Sequence, residues 1–312
     1  MKFRWLALLF LAVVPCFGDI VDDVRGALAQ KEFSVAEQEL QQYRTHHEAD
    51  PAYLEALSWM ARASFAAGQL NPAESYAKQT EAQVLHLLQQ RGLDDDEHLP
   101  IALGAAIEVQ AQVLQARNQR AEAVALLRRS LTTYGKTSIA ARLQKNLNLL
   151  TLAGQPAPAL AAPDFLGPKP PTMAQLKGSP VLLFFWAHWC IDCKAEGPII
   201  TRLRSEFGSQ GLTVIAPTKL YGYAARGEDA TPAAERAYIQ RVWQQFYPGL
   251  QSVPVPVSKQ NFTSYGASTT PTLVLIDRKG HVSLYHPGVL SYDELHSDIE
   301  KALAGSTSAG GD

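Results

Sequence analysis

One stretch constrains the fold more than any other: Val181 to Pro198, VLLFFWAHWCIDCKAEGP. Val181 to Trp186 is short, bulky and uncharged, which predicts a buried strand. Cys190 and Cys193 follow, two residues between them, where that strand hands over to a helix. This is the arrangement of a dithiol redox site. A helix N-terminus presents free N–H groups and the positive end of a dipole, so it stabilises a thiolate on Cys190. Such surroundings take a thiol pKa from about 8.5 to about 7 or below. Cys193 lies one turn further along the same face, where it can attack a mixed disulfide formed by Cys190.

The neighbouring residues carry a resemblance. WCIDCK with Glu196 and Pro198 resembles the thioredoxin superfamily, and within it the extracytoplasmic thiol–disulfide oxidoreductases of the TlpA/ResA type. Similar proteins carry FWAxWCxxCxxExP, and here Phe185, Trp186, Ala187, Trp189, Cys190, Cys193, Glu196 and Pro198 fill those positions. Thr270-Pro271-Thr272, ahead of an apolar run from Leu273 to Ile276, is a second landmark. The family places a cis-proline there, facing the dithiol. The resemblance spans Pro163 to Leu303 and implies an α/β thioredoxin-like fold. It implies Cys190 as nucleophile, Cys193 as resolving thiol and Glu196 as the carboxyl that relays protons beneath them. It also implies a client-binding role for Trp189, Thr270 and Pro271, with an extended client segment pairing beside Cys190.

Each of these residues also has a plainer reading. Glu196 could be a solvated helix glutamate, and Trp186 and Trp189 packing residues. Asp192, between the cysteines, disfavours a second negative charge and should raise the thiol pKa. His188 would lower it if protonated, but is expected to be a partly exposed neighbour of little influence. Zinc needs three or four protein ligands, and no second ligand pair of the usual spacing accompanies the cysteines. No metal and no other cofactor is expected.

The beginning of the chain reads as a leader. Lys2 and Arg4 precede an apolar run, Trp5 to Val14, that is too short for a membrane span. Cys16 and Gly18 supply small residues for a cleavage site, so residues 1–18 are expected to be a secretory signal. Lipidation of Cys16 is the rival, and Pro15 directly before it argues against that. Cleavage leaves Cys190 and Cys193 as the mature chain's cysteines, since the sequence holds three in all. An exported chain with that pair alone has kept thiols for chemistry, not for stapling. A periplasmic or otherwise extracytoplasmic location follows. No later stretch is expected to span a bilayer.

Residues 19–152 are rich in Ala, Leu, Gln, Glu and Arg, which suits helices. Apolar residues recur at helical spacing, as in Leu54, Leu57, Met60, Ala61 and Phe65. Breaks are expected at Asp50-Pro51, Gly68 with Asn71-Pro72, Gly92 and Gly135. Small Ala36, Ala73 and Ala123 hold equivalent places in three helix–turn–helix stretches, which resemble tetratricopeptide (TPR) repeats. Their spacing departs from the regular period of about 34, so an irregular bundle is the alternative. Residues 153–162, AGQPAPALAA, are rich in Pro and Ala and read as a linker.

The predicted organisation is therefore multidomain: an all-α helical-hairpin, TPR-like domain (19–152), then a linker and an α/β thioredoxin-like domain (163–304). The tail 305–312 is expected to be disordered. The resemblance implies that residues 217–265 are longer than in similar proteins; they are expected to form a lobe near the dithiol that helps choose substrates, with a solvated surface insertion as the alternative. With a net charge of −2 and no basic stripe, nucleic acid is an unsuitable partner. The resemblance implies exported disulfide-containing proteins as clients and a membrane electron donor as partner, with a further protein on the helical domain. The expected function is an exported disulfide reductase. An oxidase or isomerase, or a TPR-type adaptor with a vestigial thioredoxin module, are the alternatives.

Overall fold

A computed structural model describes residues 19–304. The expected signal, 1–18, and tail, 305–312, lie outside the described residues. The chain divides into two units, one ending at Ala106 and the other beginning at Ile107.

The first unit is built of helical hairpins. Helices α1 (Ile20–Ala29) and α2 (Phe33–His46) pair, as do α3 (Pro51–Ala66) and α4 (Leu70–Leu87). Asp19 caps α1 and Asp50 caps α3, each accepting a first-turn N–H. Gly68, at φ 74°, makes the turn between α3 and α4. The break expected at Gly68 with Asn71-Pro72 ends before Leu70, so that Asn71 and Pro72 lie in the first turn of the next helix. Pro72 is the third residue of α4, where the backbone N–H has no intrahelical partner to lose. Ala36, Ala73 and Ala77 are fully buried and let the helices approach closely.

The division falls inside α5 (His98–Ala116), within the stretch read from sequence as one helical domain. Over 19 residues α5 has a mean hydropathy of 1.2, enough by length and composition to cross a membrane, contrary to expectation. It is 61% buried within the protein, which is how a core helix passes the same test. After it, α6 (Arg120–Tyr134) and α7 (Ala140–Thr151) pack together.

In the second unit a four-stranded sheet has the order β3-β2-β5-β6, with β2 (Val181–Phe185), β3 (Thr213–Ile215), β5 (Thr272–Ile276) and β6 (Val282–Pro287). β2 runs parallel to β3 and antiparallel to β5, and β5 is antiparallel to β6. Every residue of β2 is buried, because both faces of the sheet are covered. Leu182, Phe184 and Trp186 face α8 (Ile191–Phe207), α9 (Pro232–Phe246) and α11 (Tyr292–Ala304). Val181, Leu183 and Phe185 face Phe262 and Tyr265, at α10 (Lys259–Ser264), and Leu152 after α7. A separate short ladder joins β1 (Asp164–Leu166) to β4 (Val255–Val257). Ser291 and Glu294 form a capping box before α11.

The stretch expected as a linker is fastened along this unit. Gly154 N donates to Val282 O at 2.8 Å, and Val282 N to Gln155 O at 2.9 Å. The buried Asn261 side chain accepts from Ala161 N and donates to Ala161 O, both at 2.8 Å. Buried or edge backbone groups need partners, and a Pro/Ala-rich segment supplies them in extended form. α7 is held as well: Asn148 Nδ2 donates to Tyr265 O at 2.9 Å.

Candidate active site

The site begins where β2 ends. Trp186 Nε1 donates to Ala216 O at 3.1 Å, and Thr218 Oγ1 to Trp186 O at 2.9 Å. These bonds fix the loop 187–190 against the segment after β3. Cys190 is the N-cap of α8. Its Sγ is joined to that of Cys193 in a disulfide, with S–S 2.13 Å and Cα–Cα 5.3 Å. The Cys193 amide donates to Cys190 Sγ at 3.0 Å. Cys190 is 3% exposed and Cys193 not at all. The first turn of α8 thus offers backbone donors and its dipole to Cys190 and not to Cys193.

The expected client-side residues surround this sulfur. Cys190 Sγ lies 3.4 Å from the Thr270 carbonyl oxygen, and the Thr270–Pro271 peptide is cis. Pro271 is buried at the start of β5. Trp189 is 47% exposed and Ile191 80%, so apolar side chains face solvent on both sides of Cys190.

Glu196 is not a solvated helix residue. It sits three residues after Cys193 on α8, is 2% exposed, and its Oε1 has no hydrogen-bond partner. Burial pushes its carboxyl up to about 7, against the Leu290 amide, which favours the charged form. A carboxyl held there can give or take a proton near neutral pH. Gly197, the next residue, leaves room for the Tyr247 ring: a Cβ there would stand 2.8 Å from Tyr247 Cδ1.

His188 departs from expectation. Its ring is 1% exposed, because the segment after β3 and α9 close over it. The rings of Tyr221, Tyr223 and Tyr238 stand edge-on to it at 5.4–5.6 Å. Its Nε2 lies 3.4 Å from Oε1 of Glu235, a long contact rather than a tight hydrogen bond. Burial moves the imidazole below its ordinary pKa; Glu235 opposes this and Lys194 adds to it. Glu235 is the residue that sequence reading missed. It belongs to the long 217–265 segment, and a carboxylate in the first turn of a helix is too common a feature to flag it. Among the described residues no group of three or more His, Cys, Asp or Glu is placed to hold a metal ion.

Residues 153–218 match the AhpC/TSA family. The thiol:disulfide interchange protein DsbE of Xylella fastidiosa is 30% identical over 154 residues, covering 49% of this chain and 70% of its own length. The thioredoxin-like protein YneN of Bacillus subtilis is 26% identical over 148 residues, covering 47% of this chain and 78% of its own. The thiol-disulfide oxidoreductase ResA of Bacillus anthracis is 27% identical over 150 residues, covering 47% of this chain and 77% of its own. The family match at 153–218 takes in β2, β3 and the cysteine pair. The chain belongs to the thioredoxin-like thiol–disulfide oxidoreductases of the DsbE and ResA type.

Proposed function

We propose that this oxidoreductase is exported and works as a reductase of disulfides in other exported proteins. The observation that carries the reading is the Cys190–Cys193 disulfide at the start of α8, with Cys190 beside exposed Trp189 and the Thr270 carbonyl. In the reduced protein the Cys190 thiolate attacks one sulfur of a client disulfide, and the other client sulfur leaves as a thiolate. Cys193, as thiolate, then attacks Cys190 Sγ, releasing the second client thiolate and closing the disulfide seen here. Two electrons have passed to the client, and a membrane dithiol donor returns them by the same exchange.

Glu196, buried between neutral and charged forms near pH 7, exchanges the proton that Cys193 loses. Trp189, Thr270 and Pro271 form the client face, where an extended segment pairs with the Thr270 backbone. The N-terminal hairpins, with buried alanines at the TPR-like positions, provide a surface for a partner protein.

Cys193→Ser tests the mechanism. The variant should trap client proteins on Cys190 as mixed disulfides, visible on non-reducing gels and identifiable by mass spectrometry. A periplasmic or extracytoplasmic extract that yields no trapped protein refutes the reading. Equilibration with glutathione tests direction. A potential nearer about −270 mV than about −120 mV fits a reductant, and the reverse an oxidant.

A further inference from the structure

The segment between β3 and α9 holds a buried polar cluster that the dithiol exchange does not use. Glu235 is 1% exposed and lies beside His188, whose ring meets three tyrosines. Its two oxygens accept the backbone N–H groups of Tyr221, at 2.5 Å, and Gly222, at 2.9 Å. The His188 imidazole lies against it at 3.4 Å. Burying a carboxylate is costly unless donors surround it. Here the donors are two consecutive amides of one loop, so the charge holds that loop in a single conformation.

The loop in turn reaches the dithiol. The Tyr221 ring stands edge-on to the Trp189 indole at 5.6 Å, an arrangement aromatic pairs favour. It also stands edge-on to His188 at 5.6 Å. Trp189 is thus held twice: its ring by Tyr221, and its backbone through His188 next to it in the chain. Trp189 remains 47% exposed, as do Ile191, two residues on, at 80%, and Leu220, just before Tyr221, at 37%. An indole fixed before a client arrives loses less freedom when it binds one.

We propose that Glu235, with His188 and Tyr221, is a positioning cluster that holds Trp189 as a fixed apolar wall beside Cys190. The wall selects clients whose reactive cysteine is flanked by an apolar side chain. This inference rests on the proposal that Cys190 attacks client disulfides, and it assigns a specificity role to the first part of the long 217–265 segment.

The test uses the full chain, kept reduced by dithiothreitol with the uncatalysed rate subtracted, and two short peptide disulfides, one with Leu and one with Glu beside the cysteine. The wild type should open the Leu-flanked peptide with the higher kcat/KM. Glu235→Gln keeps the shape of the side chain, but its NH2 faces one of the two amides, so the loop loses its anchor. That variant should reduce the preference about tenfold, through KM rather than kcat, as expected for loss of one aromatic wall. Tyr221→Ala leaves Glu235 and both amides in place, and should give the same loss even if Glu235→Gln folds poorly. A preference that survives Tyr221→Ala, or that falls through kcat at constant KM, overturns the inference. A wild type that opens both peptides equally also overturns it and leaves the dithiol reading intact. A wild type that opens neither refutes both.

Discussion

The Cys193 amide donates to the Sγ of Cys190 at 3.0 Å, while nothing comparable is directed at the sulfur of Cys193 by that turn. The two thiols of the reduced protein are therefore unequal, and exposure adds to the difference, at 3% against 0%. Limiting iodoacetamide applied to the reduced protein should alkylate Cys190 in preference to Cys193 by more than about tenfold, because thiolate character and access together set reactivity. Peptide mapping by mass spectrometry reads the ratio. Equal labelling would remove the assignment of Cys190 as the attacking sulfur.

Glu196 makes stability depend on pH in a set direction. Its carboxyl stands at about 7 in the folded protein, against an ordinary value of 4.5. Below about 4.5 it is protonated whether the chain is folded or not, and its favourable contribution is fully present. As pH rises through about 7 that contribution is lost, because the unfolded chain gives up its proton first. The whole span is worth about 3.5 kcal/mol at most, at ~1.4 kcal/mol per pH unit. Glu196→Gln carries no such proton, so oxidised wild type and variant should unfold in urea alike near pH 4.5. At pH 8 the variant should be the more stable by about 2–3 kcal/mol. A gap that does not grow between those pH values would put the carboxylate in water.

The central strand and the dithiol were legible because their signals are contiguous in sequence. Val181 to Phe185 is buried on both faces, and an uncharged run of that length says so directly. Cys190 caps the helix that carries Cys193 and Glu196, so their spacing alone gathers them at its start. The His188–Glu235 contact was not legible, because the partners lie on different elements and meet only through the fold. A histidine after a strand looks exposed until α9 covers it. The fastening of 154–161 was hidden for a related reason. Pro and Ala mark a chain without side-chain anchors, and the anchors came from Asn261 and the backbone of β6.

Two glycines in helices should respond oppositely to alanine. In α1, nothing lies within 4 Å of a Cβ built on Gly26, so Gly26→Ala should stabilise the protein by about 0.5–1 kcal/mol through helix propensity. In α8, the same methyl on Gly197 meets the fully buried Tyr247 ring at 2.8 Å. Overpacking of that kind costs about 1–3 kcal/mol and outweighs the propensity gain. Denaturant midpoints of the two variants should therefore move in opposite directions. A stabilising Gly197→Ala would show that Tyr247 has room to shift, and that the packing beside Glu196 is loose.

Glu108 should show the opposite pH dependence from Glu196. It lies in the second half of α5, and its carboxylate meets Arg142 Nε and Lys145 Nζ of α7, both at 2.7 Å, with Asn146 Nδ2 at 3.1 Å. Burial alone would raise its pKa, but the charges of Arg142 and Lys145 hold it at about 2. Its contribution is present above about 4.5 and is lost as pH falls toward 2, because the unfolded chain takes up the proton first. Glu108→Gln leaves two cations facing a neutral amide, which should cost about 3 kcal/mol at pH 7. The cost should shrink steadily as unfolding is measured at pH 5, 4 and 3. The carboxylate is 12% exposed, and its partners 15% and 22%, so added salt should screen the pair only weakly. A cost that is constant from pH 7 to pH 3 would mean that shape, not charge, ties α5 to α7.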